Sequence, residues 1–560
     1  MGNPQLWLAP LIPFGAAPFR ESKLSCSCAA PERCAHPAAY LWPVGQSARR
    51  AWTGGCPLWK VVQTMLGTRE SDRKSWRTLA WTYQTMNTIP KCLTHAVVGG
   101  KNAVMSASIT SAHGFTSRIA HEVNAIRYED LSPQVLARAR HVLLDWLGAA
   151  IAGSVEPAGR IAQSIAVEAD CRPVARLVGT NLSSSPREAA FANAVAAHAL
   201  DFDDSSMWAD GHPSATIVSA TVALGEAMRS TTAQVVEAIV AGLQGQVRIA
   251  LATGPSAYDK GFHGTGTYGT FGAAGACARL LGLDAEGIER AYGLAATQAA
   301  GLKISFGTMG KHLNAAKAAT NGMLAAQLAK KHFTAPLDAI EGRQGFAWTQ
   351  STSFDRERPQ QVMGDRLAIE SILFKRHACC HGTHSTIDGI AQLRALNSFS
   401  DDDIAGTRLI VSDKMLDICC IADPTTGLEG KFSVRHAASL ALAGFDSGPD
   451  SFTDERVHDP RLVSLRNRVE VDPRPDRPLN GPTRVVVNLT SGKQLEAEVD
   501  VFEPATDAEL PAEWDALVTK FEALATPIIG GSRAQDLVRR IARLDPDCPI
   551  DQLLGLQDGN

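Results

Sequence analysis

The 560-residue sequence lacks several features that mark common classes of protein. Its net charge is only −4, so no strong basic field is available to attract nucleic acid or an anionic membrane. No apolar run approaches the roughly 20 residues that span a bilayer. The 12 cysteines form no Cys-x-x-Cys pair, which disfavours a zinc knuckle. We therefore expect reduced thiols in a cytoplasmic protein without nucleic acid or membrane partners.

The first hundred residues differ from the rest of the chain. They hold six of the ten tryptophans and five of the 12 cysteines, without sustained helical or strand periodicity. A signal peptide needs a basic segment before its apolar stretch, and the opening MGNPQLWLAPLIPFGAAPFR has none. Regular patterning starts near Met105. We expect residues 1–104 to be a non-domain or disordered extension, which a start codon assigned too far upstream would explain.

The remaining sequence predicts a mainly α fold with a smaller α+β domain. Residues 115–371 are rich in alanine at helical spacing, which indicates closely packed helices and the first part of a helical domain. Residues 372–503 contain strand and hairpin patterns, which predict an inserted α+β lid domain. Residues 504–560 return to helical spacing and are expected to pack back on the first helices, completing the helical domain.

One glycine pattern raises an alternative function. Gly264-x-Gly266-x-x-Gly269 has the spacing of a dinucleotide-binding loop, which would indicate an NAD-dependent oxidoreductase. Such a loop follows a buried strand, and the preceding LATGPSAYDK has loop composition instead. The glycines are better explained by close helix packing. This leaves His263, directly before the glycines, as the residue of interest.

The candidate functional residues are polar side chains inside otherwise apolar, small-residue stretches. They fall in four segments, namely HALDFDDSSMWADGHPSA with Asp201, Asp203, Asp204, Ser205 and His212, GFHGTG with His263, GTMGKHLNAAKAA with Lys311 and His312, and FKRHACCHGTHST with Lys375, Arg376, His377, His381 and His384.

Each segment has a simpler explanation when it is taken alone. The aspartates are common turn residues, and His212, before a proline-started helix, could cap that helix. The DxDDS spacing is faintly similar to the nucleophile loop of phosphate-transferring hydrolases, but a helix precedes it here. Two carboxylates without a third make a weak magnesium site. His381 and His384 lack the partners that would complete a zinc site.

Taken together, the segments favour one chemistry. Lysine and arginine offset the charge of carboxylates, and arginine binds them bidentately. Histidines take and return protons near neutral pH. The helix beginning behind His212 adds a site for an anion or for developing enolate charge. The set suits proton abstraction next to a carboxylate, elimination of water, or decarboxylation with reprotonation of a small polycarboxylate.

At these residues the sequence resembles the MmgE/PrpD family, which includes 2-methylcitrate dehydratases, cis-aconitate decarboxylases and iminodisuccinate epimerases. The resemblance runs from about residue 115 to residue 545, with the four segments in the family's order. It implies a helical domain with a lid, a homodimer, a cleft between domains, and metal-independent chemistry that needs no cofactor. A lyase acting on a di- or tricarboxylate is the expected function, and an isomerase of the same fold is the alternative.

The resemblance also implies a role for each matched residue. His212 would be the leading general acid or base, and His263 would face it across the substrate. Asp201 would orient a histidine or lysine. The substrate-binding residues would be Ser205, Lys311, Lys375 and His381. The sequence departs from the family at Asn314, where a histidine is usual, at Lys317, at Ser205 and at His377, and these differences bear on the choice of substrate.

Overall fold

The structure, a computed structural model, describes residues 114–556, so the prediction for residues 1–104 lies outside the described residues. Within these residues twelve α-helices precede the smaller domain: α1 (Phe115–Ala125), α2 (Pro133–Gly153), α3 (Pro157–Glu168), α4 (Pro186–Ala199), α5 (Pro213–Met228), α6 (Thr232–Thr253), α7 (Ser256–Asp259), α8 (Gly264–Leu280), α9 (Ala285–Ala296), α10 (Gly310–Lys330), α11 (Phe346–Gln350) and α12 (Arg358–Met363). Two short ladders join them, β1 (Ala175–Arg176) with β2 (Ser183–Ser184) and β3 (Ser205–Ser206) with β4 (Ile372–Leu373).

Local sequence sets where these helices begin. Ser132 is the N-cap of α2, and its side chain accepts a hydrogen bond from the Val135 amide at 3.2 Å, with proline at the first helical position. Proline also begins α4 and α5. Alanine and glycine on α8 and α10 let these helices pack closely, which builds one large core for the helical part of the molecule.

The glycines of the dinucleotide-like pattern lie inside helix α8. His263 occupies the position before the helix, and no strand leads into it within residues 114–556. A side chain at Gly264 or Gly266 would meet the backbone carbonyls of Asp210 and Ala300. The explanation by close packing therefore agrees with the structure, and the pyrophosphate loop of an oxidoreductase does not.

The smaller domain is built on a four-stranded sheet with the order β6-β5-β7-β8. Its strands are β5 (Ile404–Ser412), β6 (Val469–Arg474), β7 (Thr483–Leu489) and β8 (Gln494–Val499), and only the β5–β6 pair is parallel. Its helices are α13 (His384–Leu396), α14 (Gly427–Gly430), α15 (Val434–Leu442), α16 (Asp454–Val457) and α17 (Pro460–Arg466). Helices α13 and α15 pack on the sheet and share a second core with it.

The chain then returns to the helical core. Helices α18 (Leu510–Ile529) and α19 (Gly531–Arg543) pack on α2, and α20 (Ile550–Leu553) packs on α5. The predicted fold class, mainly α with a smaller α+β part, is confirmed.

The sequence led us to expect reduced thiols and no membrane-spanning segment. Helix α6 is long and apolar enough to cross a membrane, but 94% of its apolar window is buried inside the protein, as is usual for a core helix. The seven cysteines within residues 114–556 are all free thiols, as expected.

Candidate active site

Two imidazoles lie at the starts of two helices that meet. His212 directly precedes α5 and His263 directly precedes α8, and neither side chain caps its helix. The suggestion that His212 caps α5 is therefore wrong. Their ring centres are 6.4 Å apart and both rings line one cavity. The His212 amide donates to the Thr265 hydroxyl at 3.0 Å, which ties the two helix starts together.

Hydrogen bonding fixes which nitrogen of His212 carries the proton. Its Nδ1 lies 2.8 Å from the carbonyl oxygen of Asp204, and a carbonyl only accepts, so Nδ1–H is the donor. The Asp204 side chain is held in turn by the Ser214 amide at 3.0 Å and hydroxyl at 2.7 Å. The Nε2 atom of neutral His212 therefore keeps its lone pair, as a general base requires.

His263 has the opposite tautomer. Its Nδ1 lies 3.1 Å from the amide nitrogen of Asn314, which also faces the carbonyl of Leu302 at 3.3 Å and the hydroxyl of Ser305 at 3.1 Å. The carbonyl identifies this Asn314 atom as the nitrogen, so Nδ1 of His263 accepts and Nε2 bears the hydrogen. One ring thus offers a lone pair and the other a proton, the arrangement that acid–base catalysis uses.

A buried chain of charges lies beside these rings. Asp201 Oδ1 is 2.6 Å from Lys311 Nζ and 3.1 Å from Lys375 Nζ. Lys311 Nζ also donates to His198 Nε2 at 2.8 Å, and His198 Nδ1 donates to Asp203 Oδ2 at 2.8 Å. An ammonium has three hydrogens, and Asp201 and His198 take two of those on Lys311. The third remains for a ligand in the cavity that Lys311 lines.

Burial and the two ammonium groups set the protonation states. Burial alone would raise the pKa of Asp201, but Lys311 and Lys375 outweigh it and lower that pKa well below its usual range. Burial, and then the same two lysines, lower the pKa of His212 well below its usual value. Burial and Lys311 do the same to the pKa of His263. The imidazoles of His212 and His263 are therefore both neutral near pH 7 in the unliganded protein.

Ser205 and His381 form a second polar wall. The Ser205 hydroxyl donates to His381 Nδ1 at 2.6 Å, because His381 Nε2–H donates to the Val501 carbonyl at 3.2 Å. Burial, followed by Lys375, lowers the pKa of His381 to about 3. The ring is therefore neutral and orients the serine oxygen, whose lone pairs remain as acceptors.

Six of the seven predicted site residues line this one cavity and form its polar side: Asp201, Ser205, His212, His263, Lys311 and His381. Lys375 does not line it. Its side chain is fully buried and binds both the carboxylate and, at 2.9 Å, the carbonyl of Asp201. The structure thus places the Lys375 ammonium against Asp201, and its role in substrate binding stays a prediction. Arg376 binds Asp388 outside the cavity.

Sequence reasoning missed residues of two kinds. His198 and Asn314 hold Lys311 and His263 by hydrogen bonds. The sequence marked Asn314 only as a departure from the family, and the signal for His198 was a histidine on the buried face of an alanine-rich helix. The apolar wall of the cavity carried no signal, because it comes from scattered residues of ordinary core type: Phe306, Met415, Ile418, Phe432, Leu479 and Phe502.

The donor set gives little support to a metal centre. His198, His212 and His263 bring nitrogen atoms within 4.8 Å of one another. However, Nδ1 of His198 donates to Asp203 and its Nε2 accepts from the Lys311 ammonium. A divalent cation would have to displace that ammonium, and the other two imidazoles alone fall short of the usual ligand number.

The aspartates and the remaining histidines do not form the other sites considered. Asp201 and Asp203 each bind a cationic or imidazole partner and follow helix α4, so neither the magnesium site nor the nucleophile loop is present there. His381 and His384 stack with their ring centres 4.5 Å apart. Both nitrogens of His381 are already hydrogen-bonded, which leaves no atom for zinc.

Comparison with known proteins identifies the family. The MmgE/PrpD N-terminal domain matches residues 117–358 and the MmgE/PrpD C-terminal domain matches residues 377–545. A cis-aconitate decarboxylase-like protein of Aspergillus oryzae is 25% identical over 472 residues, covering 79% of this chain and 97% of that protein.

Two proteins named cis-aconitate decarboxylase are similarly distant. The one from Aspergillus terreus is 25% identical over 480 residues, covering 80% of this chain and 97% of its own length. The human one is 24% identical over 464 residues, covering 78% and 93%. With both domain models matched over most of the described residues, the chain belongs to the MmgE/PrpD family.

Proposed function

We propose that this protein is a lyase that acts on a small di- or tricarboxylate without a metal or other cofactor. The observation that carries the proposal is the pair of oppositely tautomeric imidazoles, His212 and His263, on one cavity beside the ammonium of Lys311. These groups provide a base, an acid and a cation, which proton transfer at a carbon next to a carboxylate requires.

Decarboxylation of a cis-aconitate-type substrate is the first candidate reaction, supported by the names of the related proteins. The carbon–carbon bond to one carboxylate breaks, carbon dioxide leaves, and the electron pair stays on the substrate carbon. A histidine proton then adds to that carbon. Lys311 holds a remaining carboxylate and stabilises the negative charge while it is on the substrate.

Dehydration of a 2-methylcitrate-type substrate uses the same groups. His212 Nε2 takes a proton from the carbon next to a carboxylate, and the His263 Nε2–H supplies a proton to the leaving hydroxyl, which departs as water. The protonated His212 then returns its proton to solvent and His263 takes one up on Nε2, so that both rings are neutral for the next turnover. An isomerase would use the same pair differently, since one ring would remove a proton and the other would return one to the same carbon.

The test is to incubate the purified protein with cis-aconitate and with 2-methylcitrate in deuterated water and to identify products by NMR. We expect loss of carbon dioxide or of water from one of them, at a rate that EDTA does not change. His212→Gln should abolish turnover with little change in melting temperature. Deuterium exchange without net elimination would support the isomerase instead, and loss of activity with EDTA would contradict the proposal.

A further inference from the structure

The charges around the cavity balance one another before a substrate binds. Lys311 and Lys375 supply two positive charges, and Asp201 and Asp203 supply two negative ones. All four side chains are buried. A dicarboxylate brings two further negative charges into this region, and a buried charge is costly unless a partner compensates it. Some positive charge must therefore accompany the ligand.

The neighbouring charged groups do not supply the positive charge that the ligand needs. Lys520 is paired with Asp145 at 2.6 Å. Lys431 donates to two backbone carbonyls at 2.7 and 2.8 Å and does not line the cavity. Asp210 does line the cavity, and burial followed by the charge of Asp259 raises its pKa to about 7. As pH rises through neutrality, Asp210 adds negative charge that offsets the positive charge of Lys431.

His212 is the imidazole that can accept a proton without rearrangement. The Asp210 carboxylate, mostly ionised at about pH 8, is the competing acceptor, and the variants of His212 described below distinguish the two. Its Nδ1–H already donates to the Asp204 carbonyl, and its Nε2 has no partner among the described residues. Asp203 Oδ2, 3.8 Å from Nδ1, would stabilise the imidazolium. The titratable groups that face His212 from the neighbouring elements are Asp201, Asp203, His198, His263, Lys311 and Lys375.

The other imidazoles are less able to accept a proton. The free position on neutral His263 is Nδ1, which faces an N–H of Asn314, so a proton there would require the amide to turn over. Both nitrogens of His198 and both of His381 are already engaged in hydrogen bonds.

We propose that the cavity binds a di- or tricarboxylate together with one proton, which His212 takes up on Nε2. The proposal rests on the proposed function, since it takes a polycarboxylate as the ligand. Without ligand, burial and the two lysines keep His212 neutral. The negative charge of the bound carboxylates offsets the positive charge of the two lysines, which favours a protonated His212. Substrate binding would thus place a proton on His212 that the substrate carbon later receives in decarboxylation. A protonated Nε2 has no lone pair, so proton uptake favours decarboxylation over a dehydration in which His212 is the base.

Calorimetry of the full chain with tricarballylate tests this directly. Tricarballylate is a saturated tricarboxylate without a hydroxyl group, so neither proposed reaction can consume it. Titrations in two buffers of different ionisation enthalpy give the number of protons taken up per ligand. We expect about one proton at about pH 8, with Kd rising about tenfold per pH unit there. Binding without proton uptake, or without a pH-dependent Kd, would overturn the proposal.

Matched variants identify the group that takes the proton. His212→Gln keeps a side-chain amide near the cavity but does not titrate, and we expect its proton uptake to fall to near zero. His263→Gln should retain the uptake, because His263 is not the acceptor. Uptake that survived in His212→Gln would overturn the assignment.

The outcomes separate this proposal from the proposed function. Turnover of cis-aconitate or 2-methylcitrate, combined with tricarballylate binding that takes up no proton, would overturn only the proton uptake. Binding with uptake, but without turnover of any polycarboxylate tested, would overturn only the lyase. Tricarballylate that failed to bind at millimolar concentration would overturn the uptake proposal while the turnover assay decided the other.

Discussion

Asn314 decides which nitrogen of His263 presents a proton to the cavity. Replacing it by leucine removes the 3.1 Å hydrogen bond to Nδ1 and lets the ring adopt the other tautomer. We expect Asn314→Leu to lower kcat about tenfold, as losing one hydrogen bond of about 1.4 kcal/mol would. The measurement is steady-state kinetics on the substrate that NMR identifies.

The control for this variant lies two turns along the same helix. Asn321 donates to the Gln298 carbonyl at 3.2 Å and does not line the cavity. Asn321→Leu removes a comparable hydrogen bond, so a similar loss of kcat in both variants would show that the effect is on folding and not on the His263 tautomer.

The protonation of Asp204 predicts how the stability of the protein depends on pH. Burial, followed by the charge of Asp145, raises the pKa of Asp204 to about 8. The folded protein therefore holds a proton that the unfolded chain releases above about pH 4. The resulting stabilisation is full below that pH and is lost as pH rises toward 8, by about 1.4 kcal/mol per unit.

Asp204→Asn keeps an oxygen for the two Ser214 donors but cannot ionise. We expect the free energy of unfolding of the natural protein to decrease relative to Asp204→Asn between about pH 5 and about pH 8, measured by urea denaturation. A constant difference across this range would mean that Asp204 is ionised in the folded protein.

At the scale of elements, the glycines of α8 are required for packing. Alanine normally stabilises a helix relative to glycine by about 1 kcal/mol. At Gly266, however, a methyl group would meet the Ala300 backbone carbonyl, which cannot move away as a side chain can. We expect Gly266→Ala to destabilise the protein by about 1–3 kcal/mol in urea denaturation, the usual range for overpacking.

Gly531 provides the comparison, because the nearest atom to an added methyl group there is a Thr526 methyl carbon at an ordinary 3.8 Å. Gly531→Ala should be neutral or slightly stabilising. If Gly266→Ala were equally harmless, close packing would not explain why glycine occupies α8.

The elements also show what the sequence could predict. Helix α2 was predictable because its cap and proline act locally. The β7–β8 hairpin was predictable because Ser491-Gly492 marks its turn, where Gly492 has a positive φ of 84°. Strand β6 escaped prediction because it is a short edge strand containing Pro473, and only pairing with distant β5 makes it a strand. The site divides similarly: its charged residues stood out from apolar surroundings, whereas the apolar wall depends on tertiary contacts.

At the scale of the whole molecule, Lys520 joins the returning C-terminal helix to the site. It lies on α18, and its Nζ donates to Asp145 Oδ1 at 2.6 Å and to the carbonyls of Phe202 and Lys375 at 2.6 and 3.0 Å. Phe202 lies in the loop that follows α4 and contains Asp201, and Lys375 follows strand β4. A single side chain thus connects three segments that are far apart in sequence.

Lys520→Met would leave the fully buried Asp145 carboxylate without its partner. We expect a loss of about 3–5 kcal/mol in the free energy of unfolding, because an isolated buried charge is costly. Adding Asp145→Asn to Lys520→Met removes that charge and should recover part of the loss. Urea denaturation of the two single variants and the double variant measures the coupling. Strictly additive losses would mean that the two charges do not stabilise each other, and that Lys520 holds the C-terminal helix to the site through the Phe202 and Lys375 carbonyls instead.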